Sequence, residues 1–119
     1  MAKGTVLIVD DNPNMTALLS EMFELLHHSC EETGDGNQAL EMIEQREFNL
    51  VVTDLKMPKM SGLELLQAIK DRRPQLPVVV ISGYNVRSSE GKVLEGLADE
   101  FLHKPFKIAD IQSLADKFL

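Results

Sequence analysis

Three short apolar runs punctuate the chain: Val6-Leu7-Ile8-Val9, Leu50-Val51-Val52-Thr53 and Val78-Val79-Val80-Ile81. Each stops at a polar residue, at Asp10, Asp54 and Ser82 respectively. Runs of this length with no polar alternation fit strands buried on both faces, as in a parallel sheet. A fourth candidate, Glu100-Phe101-Leu102-His103, stops at Lys104. The stretch from Ser29 to Thr33 is polar apart from Cys30 and reads as a weak edge strand.

Between these runs the apolar residues change period. Met15, Leu18, Leu19, Met22, Leu25 and Leu26 recur at helical spacing, with Pro13 suited to a first turn. Ala39, Leu40 and Ile43 mark a second helix opened by Asp35, with Gln38 three residues on. Ser61 and Glu64 form a capping-box pair ahead of Leu65, Leu66 and Ile69. That third helix carries Lys70, Arg72 and Arg73 in its last turn, which suits the helix dipole, and Pro74 ends it. Residues 86–97 form the poorest helical segment, because 87–92 hold no large apolar side chain and Gly91 and Gly96 lower its propensity. Ile108, Ile111, Leu114, Ala115 and Phe118 mark a last helix.

Five strand–helix units in series predict a doubly wound α/β domain with right-handed crossovers, filling residues 1–119 as one unit. The chain is too short for two ordinary domains. It ends at the fifth predicted helix, so no output domain is expected within it. A single cysteine, Cys30, excludes an intrachain disulfide framework and any multi-cysteine metal site. Nineteen acidic against twelve basic residues give a net charge of −7, which argues against nucleic acid as a direct ligand. The apolar runs are far short of a membrane span, and Met-Ala-Lys-Gly-Thr at the start is not a signal peptide, so a cytoplasmic domain is expected.

In an open parallel sheet, ligands bind outside the carboxyl ends of the strands. Four predicted strands here end in groups with chemistry: Asp10-Asp11, Asp54, Ser82 and Lys104. Singly these are ordinary: an acidic strand end is usually a helix cap, Ser-Gly a turn, and Lys-Pro surface. Their shared position is the signal. Three clustered carboxylates repel one another unless a cation joins them, and a hard divalent ion such as Mg²⁺ suits an all-oxygen site. With two charges cancelled by the metal and one by Lys104, the site can accept a phosphoryl group, for which a carboxylate is a competent nucleophile. Lys104 and the Ser82 hydroxyl are placed to hold the phosphoryl oxygens.

At this point the chain resembles the receiver domain of two-component response regulators. The resemblance rests on Val6-Leu7-Ile8-Val9-Asp10-Asp11, Asp54-Leu55-Lys56-Met57-Pro58 followed by Ser61-Gly62, Ser82-Gly83, and Lys104-Pro105-Phe106. It implies a flavodoxin-like sheet of five parallel strands in the order 2-1-3-4-5 with five helices. It implies Asp54 as phosphoacceptor, Mg²⁺ held by Asp10, Asp11, Asp54 and the Lys56 main-chain carbonyl, and Ser82 and Lys104 on the phosphoryl group. Lys104-Pro105 is expected to be cis. Ser82 and Phe101 match the family's switch positions, and Lys56 and Tyr84 match positions that tune hydrolysis. The phosphodonor implied is a histidine kinase or a phosphotransfer protein. The surface implied for a homodimer or an output protein is the fourth predicted helix, fifth strand and last helix. Such a chain catalyses at most its own phosphotransfer and dephosphorylation.

Two alternatives belong to other classes. A pseudo-receiver, acting only as an interaction module, would lack an acidic or lysine site residue, and none is missing. A small aspartyl phosphohydrolase wants a second Asp two residues after the nucleophile, where this chain has Lys56. Ser82 stands where many family members carry Thr, and Lys107 where many carry an Asp cap, so a less firmly started last helix is expected. His27, His28 and His103 lack metal-ligand spacing and are read as structural or surface residues, Cys30 as a small buried hydrophobe, and Gly34-Asp35-Gly36 as a turn.

Overall fold

The computed structural model describes residues 4–55, 59–83 and 96–119. Five strands lie among these residues: β1 (Thr5–Val9), β2 (Ser29–Thr33), β3 (Leu50–Asp54), β4 (Val78–Ser82) and β5 (Glu100–His103). The described helices are α1 (Pro13–Leu25), α2 (Gly36–Gln45), α3 (Gly62–Arg72) and α4 (Ile108–Phe118). The expected helix over residues 86–97 lies, save for its last two residues, outside the described residues. All strand pairs are parallel and the order is β2-β1-β3-β4-β5, as expected.

The continuous apolar runs are explained by two cores, one on each face of the sheet. Leu7, Val9, Val51, Val78 and Val80 pack with Ala39, Leu40, Ile43, Leu65, Leu66 and Ile69 of α2 and α3. The alternate residues Val6, Ile8, Leu50, Val52, Val79 and Ile81 pack with Leu19 and Phe23 of α1 and Ile111, Leu114 and Ala115 of α4. Since successive strand residues face opposite ways, both must be apolar, and no polar alternation is left to read. β2 at one edge is only partly covered, which accounts for its polar composition.

Local chemistry starts and stops the helices. Asn12 caps α1 by accepting from Asn14 N–H at 3.0 Å, with Pro13 behind it. Asp35 caps α2 by accepting from Asn37 N–H at 2.9 Å, and Ser61 caps α3 by accepting from Glu64 N–H at 3.2 Å. Gln38 does not reach back to the cap; its Oε1 instead accepts from the Thr33 hydroxyl at 2.5 Å. Lys107 has no acceptor to offer α4, and Asp110 compensates by accepting the Lys107 N–H at 2.8 Å. Asp99 is a tie that the sequence reading missed. Its Oδ2 accepts from Val78 N–H at 2.8 Å and from Lys70 Nζ at 2.6 Å, while its own N–H donates to Val78 C=O at 2.9 Å. One carboxylate thus joins the starts of β4 and β5 to the end of α3.

α1 ends in a Schellman turn. His28 N–H donates to Phe23 C=O at 3.0 Å and His27 N–H to Glu24 C=O at 2.9 Å. The buried His28 ring packs edge-on against Phe23, with centroids 6.5 Å apart, supplying the side-chain contact that accompanies such turns. His27 holds the left-handed position at φ 71°, where glycine is the usual occupant. A residue with a Cβ is strained there by about 1–2 kcal/mol, partly offset by the larger chain entropy that glycine loses on folding. His27→Gly is therefore expected to stabilise the domain by about 0.5–1 kcal/mol, read as a rise in the thermal midpoint. A lower midpoint would show that the exposed imidazole contributes more than its backbone costs.

Candidate functional site

The sheet order places the ends of β1 and β3 side by side. Val9 is in register with Thr53, so Asp10 and Asp54 follow at the same level. Both continue the parity of Ile8 and Val52, and they rise from the face covered by α1 and α4. Asp10 is 4% exposed, and its Oδ1 accepts from Asn12 N–H at 2.9 Å. Asp54 is the last residue of β3, and its Oδ1 accepts from Leu55 N–H at 2.8 Å, which fixes the rotation of the carboxylate. Asp11 is exposed beside them. Oxygens of Asp10, Asp11 and Asp54 lie within 4.8 Å of one another.

Lys104 reaches into this group from the far strand. Its Nζ is 3.9 Å from Asp10 Oδ2 and 3.8 Å from Asp54 Oδ1, placing one ammonium between two carboxylates. The Lys104 N–H donates to Ser82 C=O at 2.9 Å, and the Lys104-Pro105 peptide is cis, as expected. Among the described residues, three carboxylates against one ammonium leave an excess of negative charge. An all-oxygen set of this spacing, with one member exposed, suits a hard divalent cation that keeps some of its waters. The fourth proposed metal ligand, the Lys56 carbonyl, lies outside the described residues, as does Tyr84.

Ser82 is fully buried at the end of β4. It continues the parity of Val78 and Val80 and so belongs to the α2–α3 face, opposite to Asp54. Phe101 pairs with Val80 and shares that face, one pleat before Ser82. His103 pairs directly with Ser82, and its ring lies 4.9 Å from the Phe101 ring at 50°. The exposed His103 thus stands beside both proposed switch residues, a placement its sequence surroundings did not signal.

Gly62 has a steric reason that the motif alone did not give. A Cβ there would sit 2.5 Å from the Asp54 carbonyl oxygen and 2.8 Å from Leu55 Cα, both backbone atoms. The Gly62 N–H donates to Leu55 C=O at 2.7 Å, folding the loop back on the end of β3. Cys30 is half-buried and donates weakly to Ser20 C=O, and burial, aided by the nearby Glu24, pushes its thiol up to about 12. It is not a reactive thiol.

Burial is the main reason the Asp10 carboxyl lies above its ordinary range; the Asn12 N–H and Lys104 oppose it, and Asp54 and Asp11 add to it. A raised folded-state value means stability that is full below the ordinary carboxylate pKa and lost as pH rises through the folded value. Asp10→Asn keeps an acceptor for Asn12 N–H and removes the charge. The variant is expected to melt higher than wild type at neutral pH without divalent metal, with the gap closing towards pH 3. An equal or lower midpoint at pH 7 would contradict this.

Comparison with known proteins agrees with this geometry. Residues 6–116 match the response regulator receiver domain family. The DNA-binding transcriptional regulator NtrC of Azospirillum brasilense is 30% identical over 119 residues, covering 100% of this chain and 25% of the relative. The two-component response regulator ORR5 of Oryza sativa subsp. japonica is 32% identical over 117 residues, covering 96% of this chain and 87% of its own length. The crystal structure of the response regulator TrrA from Thermotoga maritima, in complex with Mg²⁺-BeF, superposes with a TM-score of 0.88 at 27% identity, covering 98% of this chain and 99% of that one. The chain spans about a quarter of the length of NtrC and similar curated relatives. With the fold, the strand-end carboxylates and a family match over residues 6–116, the chain belongs to the response regulator receiver domain family.

Proposed function

We propose that residues 1–119 form one receiver unit that takes a phosphoryl group on Asp54 and acts as a signalling switch in the cytoplasm. The observation that carries this reading is the Lys104 ammonium held at 3.8 and 3.9 Å between Asp54 and Asp10 within an all-oxygen cluster. An Asp54 oxygen attacks phosphorus of a phosphohistidine on a histidine kinase or phosphotransfer protein. The P–O bond forms, the P–N bond breaks, and the freed imidazole takes up its proton by exchange with water. Lys104 follows the charge from the carboxylate to the phosphoryl oxygens, and the Ser82 hydroxyl donates to them. Asp10, Asp11, Asp54 and the Lys56 carbonyl are the proposed holders of Mg²⁺, which supplies charge neutralisation. Attack by water reverses the state, releasing phosphate and restoring the carboxylate. Lys56 and Tyr84 are assigned control of that step by their place in the family motif.

Partner surfaces follow from exposure. The exposed large apolar side chains among the described residues are Leu18 and Leu25 on α1 and Ile108 at the start of α4. Both helices cover the face from which Asp54 rises, so this is the proposed docking surface for the phosphodonor. The α4 and β5 region, with Phe101, is the proposed route to a homodimer or output protein. No described helix is long and apolar enough to cross a membrane. The pseudo-receiver and phosphohydrolase readings gain no support from the site, because the acidic and lysine groups are all present and Lys56 stands where a hydrolase acid would be needed.

Acetyl phosphate with Mg²⁺ should label wild type with one phosphoryl group, and chelation or Asp54→Asn should abolish the label. Lys56→Asn and Tyr84→Glu should each speed its decay. The fluoroberyllate analogue should shift the Phe101 ring resonances. Label on Asp54→Asn equal to wild type would falsify the assignment. Leu18→Asp should slow transfer from a phosphohistidine donor about tenfold or more while leaving labelling by acetyl phosphate intact, a loss of at least about 1.4 kcal/mol of docking free energy. Equal slowing with both donors would place the effect in the site and not in docking.

A further inference from the structure

The Gly34-Asp35-Gly36 turn lies against both loops that carry the carboxylates. On one side, Asp10 N–H donates to Thr33 C=O at 3.0 Å, and a Cβ on Gly34 would meet the Asp10 carbonyl oxygen at 3.4 Å and Asp11 Cα at 3.5 Å. On the other side, Met60 of the β3–α3 loop lies across Gly36. A Cβ on Gly36 would sit 2.9 Å from Met60 Sδ, 3.1 Å from its Cβ and 3.2 Å from its Cγ. Neither glycine has a positive φ, so conformation does not demand glycine at either position. Gly36 opens α2, where alanine is the better helix former, so space is the remaining reason for its absence. Met60 also packs on the α2–α3 core, and Gly62 closes the same loop onto the Asp54 carbonyl.

We propose that Met60 seated on Gly36 is a brace that sets the Asp54 loop against the Asp10–Asp11 loop, which makes Met60 a positioning residue for the carboxylate cluster. The proposal rests on the reading of that cluster as the Mg²⁺ and phosphoryl site. Sub-ångström displacement of one carboxylate changes the fit of a small hard cation, whereas the two cores bury their side chains regardless. The brace therefore acts on ion affinity more than on folding.

The test is a double-mutant cycle on the full chain with Gly36→Ala, Met60→Ala and both together. Calorimetric titration with Mg²⁺ gives affinity, and thermal melting gives stability. Gly36→Ala is expected to weaken Mg²⁺ binding about three- to tenfold, and Met60→Ala about threefold, since it removes the brace without a clash. The double variant should resemble Met60→Ala, because the added methyl then meets less. Gly36→Ala should lower the melting temperature beside Met60 by more than it does in the Met60→Ala background, where only the Cβ of residue 60 remains, 3.1 Å from the added methyl. Gly34→Ala, whose Cβ meets only ordinary contacts, should bind Mg²⁺ like wild type. If Met60→Ala and any folded Gly36→Ala bind Mg²⁺ as wild type does, the brace is overturned and the phosphoacceptor reading stands. If wild type binds no Mg²⁺ and takes no label from acetyl phosphate, that reading falls and the brace with it.

Discussion

Like charge crowded at one sheet edge is the constraint on which the rest depends. β1 and β3 are neighbours and in register, so the residues that follow Val9 and Thr53 cannot avoid each other. Both are aspartates, Asp11 lies within reach, and Lys104 is the cation that the fold brings between them. Asp10 is also buried, which costs free energy for any charged group without full compensation. A structure that keeps this arrangement must draw its stability elsewhere. It does so from three central strands whose apolar side chains are almost wholly removed from water on both faces. The site is thus an electrostatic conflict held in place by a hydrophobic sheet, and binding a cation or a phosphoryl group changes the balance of that conflict directly.

Strand parity divides the labour. Asp10, Asp54 and Lys104 lie on the α1–α4 face, while Ser82, Phe101 and His103 lie on the α2–α3 face. The proposed chemistry and the proposed readout are therefore on opposite sides of one sheet and meet only at its carboxyl edge. The Lys104 N–H donates a backbone hydrogen bond to Ser82 C=O, which joins the two sides at that edge. A charge that draws Lys104 or the Ser82 hydroxyl has a short path to β5, because Ser82 pairs with His103 and the His103 ring lies against Phe101.

The chain's pattern made the strands legible because burial on both faces leaves a continuous apolar run, and the polar residue ending each run marks where the sheet meets solvent. Asp10, Asp54, Ser82 and Lys104 were legible for the same reason. Caps at Asp35 and Ser61 were readable because their chemistry is local. What escaped reading was non-local. Asp99 ties β4, β5 and α3 through partners 21 and 29 residues away, and nothing in its own neighbourhood marks it. Met60 on Gly36 is a contact between two loops that are distant in sequence. Asn12 was different: an asparagine before Pro13 at a helix start is a recognisable cap and was readable in principle. His27 could not be read as a Schellman residue, because that position usually announces itself with glycine.

Partner recognition has to work against the overall charge. The chain carries −7, and the proposed phosphorylation of Asp54 adds about one further negative charge. Long-range attraction therefore favours partners with a basic surface, yet at physiological salt such fields fade within about 8 Å. Selectivity must then come from contact. Leu18, Leu25 and Ile108 offer apolar area on the two helices that cover the Asp54 face, at a cost in solubility that the surrounding acidic residues offset. A surface of this kind lets the charge discourage association in general while a few apolar side chains select the partner. That separation suits the proposed phosphoryl transfer on Asp54, which lies beneath the surface these helices present.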